Sequence, residues 1–181
     1  LLIDPIVSIF RRRKLFFLDA GIGTGCIIFS ILKELKHSQG VGIDNCKKTI
    51  LNAKKNLTNL KLQNRAKLLN RSVERVFGYK FDLIVSNPPY IIKRDIKRLS
   101  HDITRHEPRS ALDGGNDGLD VIRKVIYKSR KILKSNGILA LEVGTGQYQS
   151  VTKILGQNQF RLIEKIKDYK NNIRCIYSTL K

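Results

Sequence analysis

Acidic side chains are scarce in this 181-residue chain: 15 Asp and Glu stand against 35 Lys and Arg, a formal net charge of +20 at pH 7. That imbalance favours polyanionic contacts, RNA or a ribosome, through a basic surface, although lysines spread over most segments also serve simply to solvate it. Two places are denser, Arg11 to Lys14 and the group Lys93, Arg94, Lys97, Arg98, Arg105 and Arg109. Long apolar runs are missing too. Nothing approaches the ~20 residues that a bilayer requires, and Leu1 to Phe10 carries its charge, Arg11 to Lys14, on the wrong side for a signal peptide. The expectation is a cytoplasmic monomer with no membrane contact. Only three cysteines occur, Cys26, Cys46 and Cys175, odd in number and far apart. This excludes a disulfide framework and a zinc-type pair and leaves reduced thiols. His37, His101 and His106 do not form a catalytic set.

What is present reads as one α/β domain over residues 1–181. A hydrophobic fraction of 41% is enough for a proper core. There are no repeats and no interdomain linker. Apolar runs predict strands near 15–19, 40–44, 66–70, 81–86, 137–143, 160–166 and 173–179. Helical patterns precede the first strand near 2–11, fall between the earlier strands, and recur near 119–134 and 147–157. Alternation of this kind implies a seven-stranded, mostly parallel sheet with helices on both faces. Lys167 to Asn172 leaves no room for a crossover helix, so one strand is expected to be antiparallel.

The most informative segment is Asn87-Pro88-Pro89-Tyr90, directly behind the apolar run 81–86. Two prolines cannot continue a ladder, so the strand must end and present Asn87 and the Pro88 carbonyl beyond its carboxyl end, where open α/β sheets bind ligands. The chemistry suits a planar NH2 group, whose lone pair is delocalised into a neighbouring carbonyl or ring. The Asn87 side-chain oxygen and the Pro88 carbonyl can accept its two N–H bonds, Pro89 adds no competing donor, and Tyr90 offers a flat face. The bland alternative is a strand-ending turn.

A second motif lies upstream. Strand 15–19 ends in Asp19 and runs into Ala20-Gly21-Ile22-Gly23-Thr24-Gly25-Cys26, then a helical pattern. Glycines there let a ligand approach the backbone near a helix N-terminus. A dinucleotide fingerprint wants its third glycine where this chain has Cys26, which points away from a pyrophosphate and toward a nucleoside such as S-adenosylmethionine. Asp44 closes the next strand about twenty residues on, the offset of a ribose ligand. Either it fills that role or it caps the helix over 46–57, a task Asn45 could take instead. Asp19 either braces the glycine loop or meets the cofactor's amino group. Asp113 to Gly118 has too few spaced carboxylates for a metal loop; a turn is expected, with Asp117 near the next helix start. No metal site is predicted.

Together, Asp19-x-Gly-x-Gly-x-Gly, Asp44 and Asn87 to Tyr90 resemble a Rossmann-like class I methyltransferase that uses S-adenosylmethionine on an amino group. Further segments resemble the protein-glutamine N5-methyltransferases of peptide chain release factors, the HemK or PrmC family: Ile84 to Ile91, Arg105 to Leu112, Asp113 to Asp120, Leu141 to Gly144 with Gln147, and Lys167 to Tyr169 with Arg174. The resemblance implies cofactor contacts from Asp19, Gly21, Ile22, Gly23, Thr24, Gly25, Asp44 and Asn87, with Ser72 as a weak candidate on the adenine side. It implies that Asn87, Pro88, Pro89 and Tyr90 hold the glutamine of a GGQ tripeptide, with Glu107 and Pro108 on the substrate-side loop or bracing it. Two departures stand out. Leu69-Asn70-Arg71-Ser72 lacks the acidic or aromatic residues many relatives place against adenine. The chain also starts at Leu1, contains no methionine, and is expected to lack the family's N-terminal helical domain. Rival readings are an adenine-amino methyltransferase on DNA or RNA and an inactive module that only binds the cofactor.

Overall fold

The computed structural model describes residues 1–98 and 108–181. Helix α1 (Ile3–Phe10) leads to β1 (Phe16–Ala20), α2 (Cys26–Glu34), β2 (Gln39–Asp44), α3 (Lys47–Asn59), β3 (Ala66–Asn70) and β4 (Phe81–Ser86). There follow α4 (Asp120–Ile132), β5 (Leu133–Glu142), α5 (Tyr148–Gln157), β6 (Phe160–Lys167) and β7 (Ile173–Leu180). The seven strands form one sheet in the order β3-β2-β1-β4-β5-β7-β6.

Strands β1 to β5 pair in parallel, whereas β7 is antiparallel to both β5 and β6. The single reversed strand follows from the 168–172 connection: Asp168 Oδ1 accepts from the backbone N–H groups of Lys170 and Asn172, both at 2.9 Å, closing a tight turn where a crossover helix would need far more chain.

Successive side chains of a strand point to opposite faces, and here both faces are covered. Phe17, Leu83, Ala140 and Tyr177 pack with Ile6, Ile28, Ile31 and Leu32 on one side. Leu18, Ile84, Leu139 and Ile176 pack with Ile122, Ile126, Val151 and Leu155 on the other. Burial on both faces explains why the central strands are almost uninterruptedly apolar.

Two details depart from expectation. Between β3 and β4 there is no α-helix, only a 3-10 turn at Val73–Arg75. Helix α4 holds this turn instead, through Lys128 Nζ to the Glu74 carbonyl (3.0 Å) and the Lys124–Glu74 ion pair (3.0 Å). Strand β5 begins at Leu133 rather than near 137, because Leu133 pairs with Phe81 before the register shifts and resumes at Leu83 and Ile138.

Candidate active site

Strands β1 and β4 are direct neighbours, with Asp19 opposite Val85. Ser86 Oγ donates to the Ala20 carbonyl at 2.5 Å, tying the two carboxyl ends together just before the glycine turn and the tetrad diverge. The strand order reverses between β1 and β4, which is where an open α/β sheet leaves a crevice. The two sequence motifs therefore share one edge.

The glycine turn is shaped by positive φ at Gly21 (84°), Gly23 (55°) and Gly25 (90°). Space beside Gly21 and Gly23 is open, with nothing within 4 Å of where a Cβ would lie. The turn is pinned from below: Gly21 and Ile22 N–H groups both donate to the Ile43 carbonyl at 2.9 Å. Gly42 lacks a Cβ that would come 2.3 Å from Ile22 Cδ1, so the turn settles directly onto β2. Thr24 and Gly25 complete the loop, and Gly25 opens α2.

Asp44 serves both sides of this turn. Its Oδ2 accepts from Gly23 N–H (3.3 Å) and its Oδ1 from Cys46 N–H (2.8 Å) at the start of α3. The option in which Asn45 caps and leaves Asp44 unengaged is thus not the one adopted, since a carboxylate is the better acceptor for these amides. Asp19 is fully buried, and its Oδ2 accepts from Ile28 N–H at 3.1 Å near the start of α2, while Oδ1 has no partner. Burial pushes its carboxyl up from 3.8 to about 7; the Ile28 bond opposes the shift and nearby Asp44 adds to it. Ser72 follows β3, whose end is held to β2 by Arg71 N–H (2.8 Å) and Asn70 Nδ2 (2.9 Å), both donating to the Asp44 carbonyl.

In the tetrad, Asn87 is exposed, Pro88 buried, and Pro89 and Tyr90 half-buried. Tyr90 is held at both ends. Its hydroxyl accepts from Arg174 at 2.8 Å, and Arg174 also pairs with Glu142 at 3.2 Å. Its carbonyl accepts from Gln147 Nε2 at 3.0 Å. Gln147 also donates to the Gly118 carbonyl (3.1 Å) and accepts from Gly144 N–H (2.9 Å), so one amide joins three backbone segments. Residues 112–115 run alongside the chain after the tetrad, through Ile91 N–H to the Leu112 carbonyl (3.0 Å), Gly114 N–H to Ile91 (2.8 Å) and Lys93 N–H to Gly115 (2.9 Å). Asp117 accepts from Leu119 N–H at 3.1 Å and pairs with Arg123, which makes 113–118 a braced turn leading into α4. Among the described residues no cluster of potential metal ligands occurs. Glu107, with His101, Arg105 and His106, lies outside the described residues.

Residues 4–116 match the family described as methyltransferase small domain. The chain belongs to that family. It is 35% identical over 177 residues to a release factor glutamine methyltransferase of Caulobacter vibrioides, covering 97% of this chain and 61% of that protein. A release factor glutamine methyltransferase of Geobacter sulfurreducens is 38% identical over 144 residues, 79% of this chain and 50% of the relative. The chain thus spans between half and three-fifths of the length of these relatives. Among solved structures it resembles a ribosomal protein L11 methylase from Lactobacillus delbrueckii subsp. bulgaricus, with a TM-score of 0.74 at 16% identity over 99% of this chain and 77% of that one. It also resembles a magnesium protoporphyrin IX methyltransferase from Synechocystis PCC 6803 with bound SAM, with a TM-score of 0.68 at 15% identity over 99% and 78% of the two chains. These likenesses establish a class I methyltransferase fold. Among the described residues no helix is long and apolar enough to cross a membrane.

Both motifs of this methyltransferase-family chain are legible in its sequence, whereas the residues that hold the tetrad carry no task there. Gln147, Glu142 and Arg174 stand out only as matches to relatives, since a lone Gln or Arg has no periodicity to betray it. Gly118 was legible only as a turn glycine. Its φ of 77°, and the 2.5 Å that would separate an added Cβ from the Tyr90 carbonyl, show that it lets the tetrad approach.

Proposed function

We propose that this chain transfers a methyl group from S-adenosylmethionine to the side-chain amide nitrogen of the GGQ glutamine in a peptide chain release factor, acting as a cytoplasmic monomer. The products would be N5-methylglutamine and S-adenosylhomocysteine. The observation that carries the reading is the meeting of the exposed Asn87 and the glycine turn at neighbouring strand tips, tied by the Ser86 bond to Ala20. The names of the relatives support the choice of substrate.

The residues fit the cofactor. The open space beside Gly21 and Gly23 accommodates close approach, and the unpartnered Oδ1 of Asp19 suits a cationic amino group. Asp44, at the tip of β2, would meet the ribose hydroxyls, and Ser72, two residues past β3, the adenine side. When bound, the sulfonium supplies an electrophilic methyl group. Asn87 and the Pro88 carbonyl accept the two amide N–H bonds of the glutamine and orient its nitrogen lone pair for in-line attack. As positive charge develops on nitrogen, the same two oxygens favour it, and the clamp on Tyr90 steadies the backbone just past the Pro88 carbonyl. No general base is required, since the proton leaves to water after transfer. Glu107 would belong to the substrate-side loop.

Incubating the chain with labelled cofactor and a GGQ-bearing release factor tests this reading: label should enter the factor and be lost when its tripeptide glutamine is changed to Ala. Label surviving that change would overturn it. A second reading, transfer to the amino group of adenine in nucleic acid, is favoured by the same tetrad and by the net charge of +20; label in DNA or RNA and none in release factor would select it. Saturable S-adenosylmethionine binding in calorimetry, lost in Asp44→Ala, together with label in neither acceptor would select an inactive module that only binds the cofactor.

A further inference from the structure

The edge of the sheet opposite the candidate active site carries cations with few carboxylates to answer them. Strands β1, β4 and β5 enter the sheet there and β7 leaves it, and these four are consecutive neighbours. Lys14 lies just ahead of β1, Lys80 just ahead of β4, Lys134 at the start of β5 and Lys181 just past β7, all of them exposed. One strand spacing of roughly 4.8 Å separates neighbours, so the four form a row of roughly 15 Å. Lys80, Arg130, Lys134 and Lys181 line a single hollow together with Leu133, Ser135, Asn136 and Leu180, with no Asp or Glu side chain in the lining. Asp82 is the carboxylate at hand, and it is already engaged, accepting from Phe16 N–H at 2.9 Å and pairing with Lys134 at 2.8 Å. Near the active-site edge, Arg109, Arg123 and Arg174 each have a carboxylate partner. The exposed run Arg11 to Lys14 extends the basic side further.

We propose that this edge is an RNA-docking surface, separate from the methyl-transfer site and independent of which acceptor that site uses. A row of cations at strand spacing neutralises successive phosphates of one nucleic-acid strand. The large exposed apolar side chains, among them Phe77, Tyr127 and Ile163, lie outside the hollow, so it lacks the apolar anchors that seat a protein in a bilayer. Exposed Ser135 and Asn136 set hydrogen-bonding groups among the cations, groups of the kind that can engage the 2′-hydroxyl that distinguishes RNA from DNA.

Fluorescence anisotropy with a labelled single-stranded RNA, the same sequence as DNA, and a series of salt concentrations tests the proposal on the full chain. With about four phosphates neutralised, the slope of log affinity against log salt should be about −3. The triple variant Lys80→Gln, Arg130→Gln, Lys181→Gln should reduce that slope by about 2 and weaken binding at least about tenfold. A control triple of equal charge loss, Lys54→Gln, Lys55→Gln, Lys67→Gln, should change it far less. Both triples alter exposed side chains and should bind S-adenosylmethionine like the parent, which separates failure of this surface from failure of the methyl-transfer reading. Equal weakening in the two triples, absence of a salt slope, binding as tight to the DNA, or tighter binding to phosphatidylserine vesicles than to RNA would each overturn the proposal.

Discussion

Replacing Asp19 by Asn should stabilise the fold, and by more at pH 7.5 than at pH 4. The carboxyl is fully buried with one oxygen unpartnered, and its folded-state value of about 7 compares with 3.8 in the open chain. Below about pH 4 both states hold the proton and Asp19 costs nothing through ionisation. Between about 4 and 7 only the folded state keeps it, so stability falls with rising pH by about 1.4 kcal/mol per unit. The full deficit, reached just above 7, is about 4 kcal/mol, a large share of the ~5–15 kcal/mol that holds a domain together. Asn preserves an acceptor for Ile28 N–H and never ionises; its unpartnered NH2 resembles the unpartnered OH of the neutral acid, so the two proteins should match near pH 4. Parallel urea titrations of parent and variant across pH 4 to 8 read the difference directly. With a urea dependence of roughly 2–3 kcal/mol per M, the midpoints should separate by roughly 1.5–2 M at the alkaline end. A gap that stays constant with pH would refute the reasoning, because titrating groups that do not feel the Asp19 charge cancel between the two chains.

Asn87→Ala should lower methyl transfer about 10²–10³-fold with little change in melting temperature, since the side chain is exposed and its loss removes one of two oriented acceptors; single-turnover kinetics checks this. Gln147→Leu leaves the Tyr90 and Gly118 carbonyls and Gly144 N–H unanswered and should cost about 1–3 kcal/mol in a denaturation assay, with kcat falling as the tetrad loosens. Gly118→Ala should be worse, because about 1–2 kcal/mol of left-handed backbone strain adds to a collision with the Tyr90 carbonyl; retention of parental stability and kcat would show that the turn yields more easily than its geometry implies.

Much of this architecture could be read from the chain alone. Strands β3 and β4 fall on their expected bounds, because a short apolar run ended by polar or proline residues has a period and a stop signal. The reversed β7 was legible from the shortness of 168–172. The segment between β3 and β4 misled because helices fill the neighbouring connections, whereas here α4, a distant element, supplies the cover. At the site, glycines and prolines announced themselves through the backbone shapes they permit or forbid. Asp44 did not, because one carboxylate that braces a turn and heads a helix has the same local sequence as one that does either alone. The clamp on Tyr90 was invisible for another reason: its parts are 57 and 84 residues away.

That separation has a consequence for biosynthesis. Arg174 sits on β7, which leaves the ribosome after β1 to β6, and its guanidinium holds the Tyr90 hydroxyl. Until β7 is made and slots between β5 and β6, the tip of β4 lacks this brace. A nascent chain therefore completes its glycine turn early, yet gains the clamp behind the tetrad only once β7 has joined the sheet.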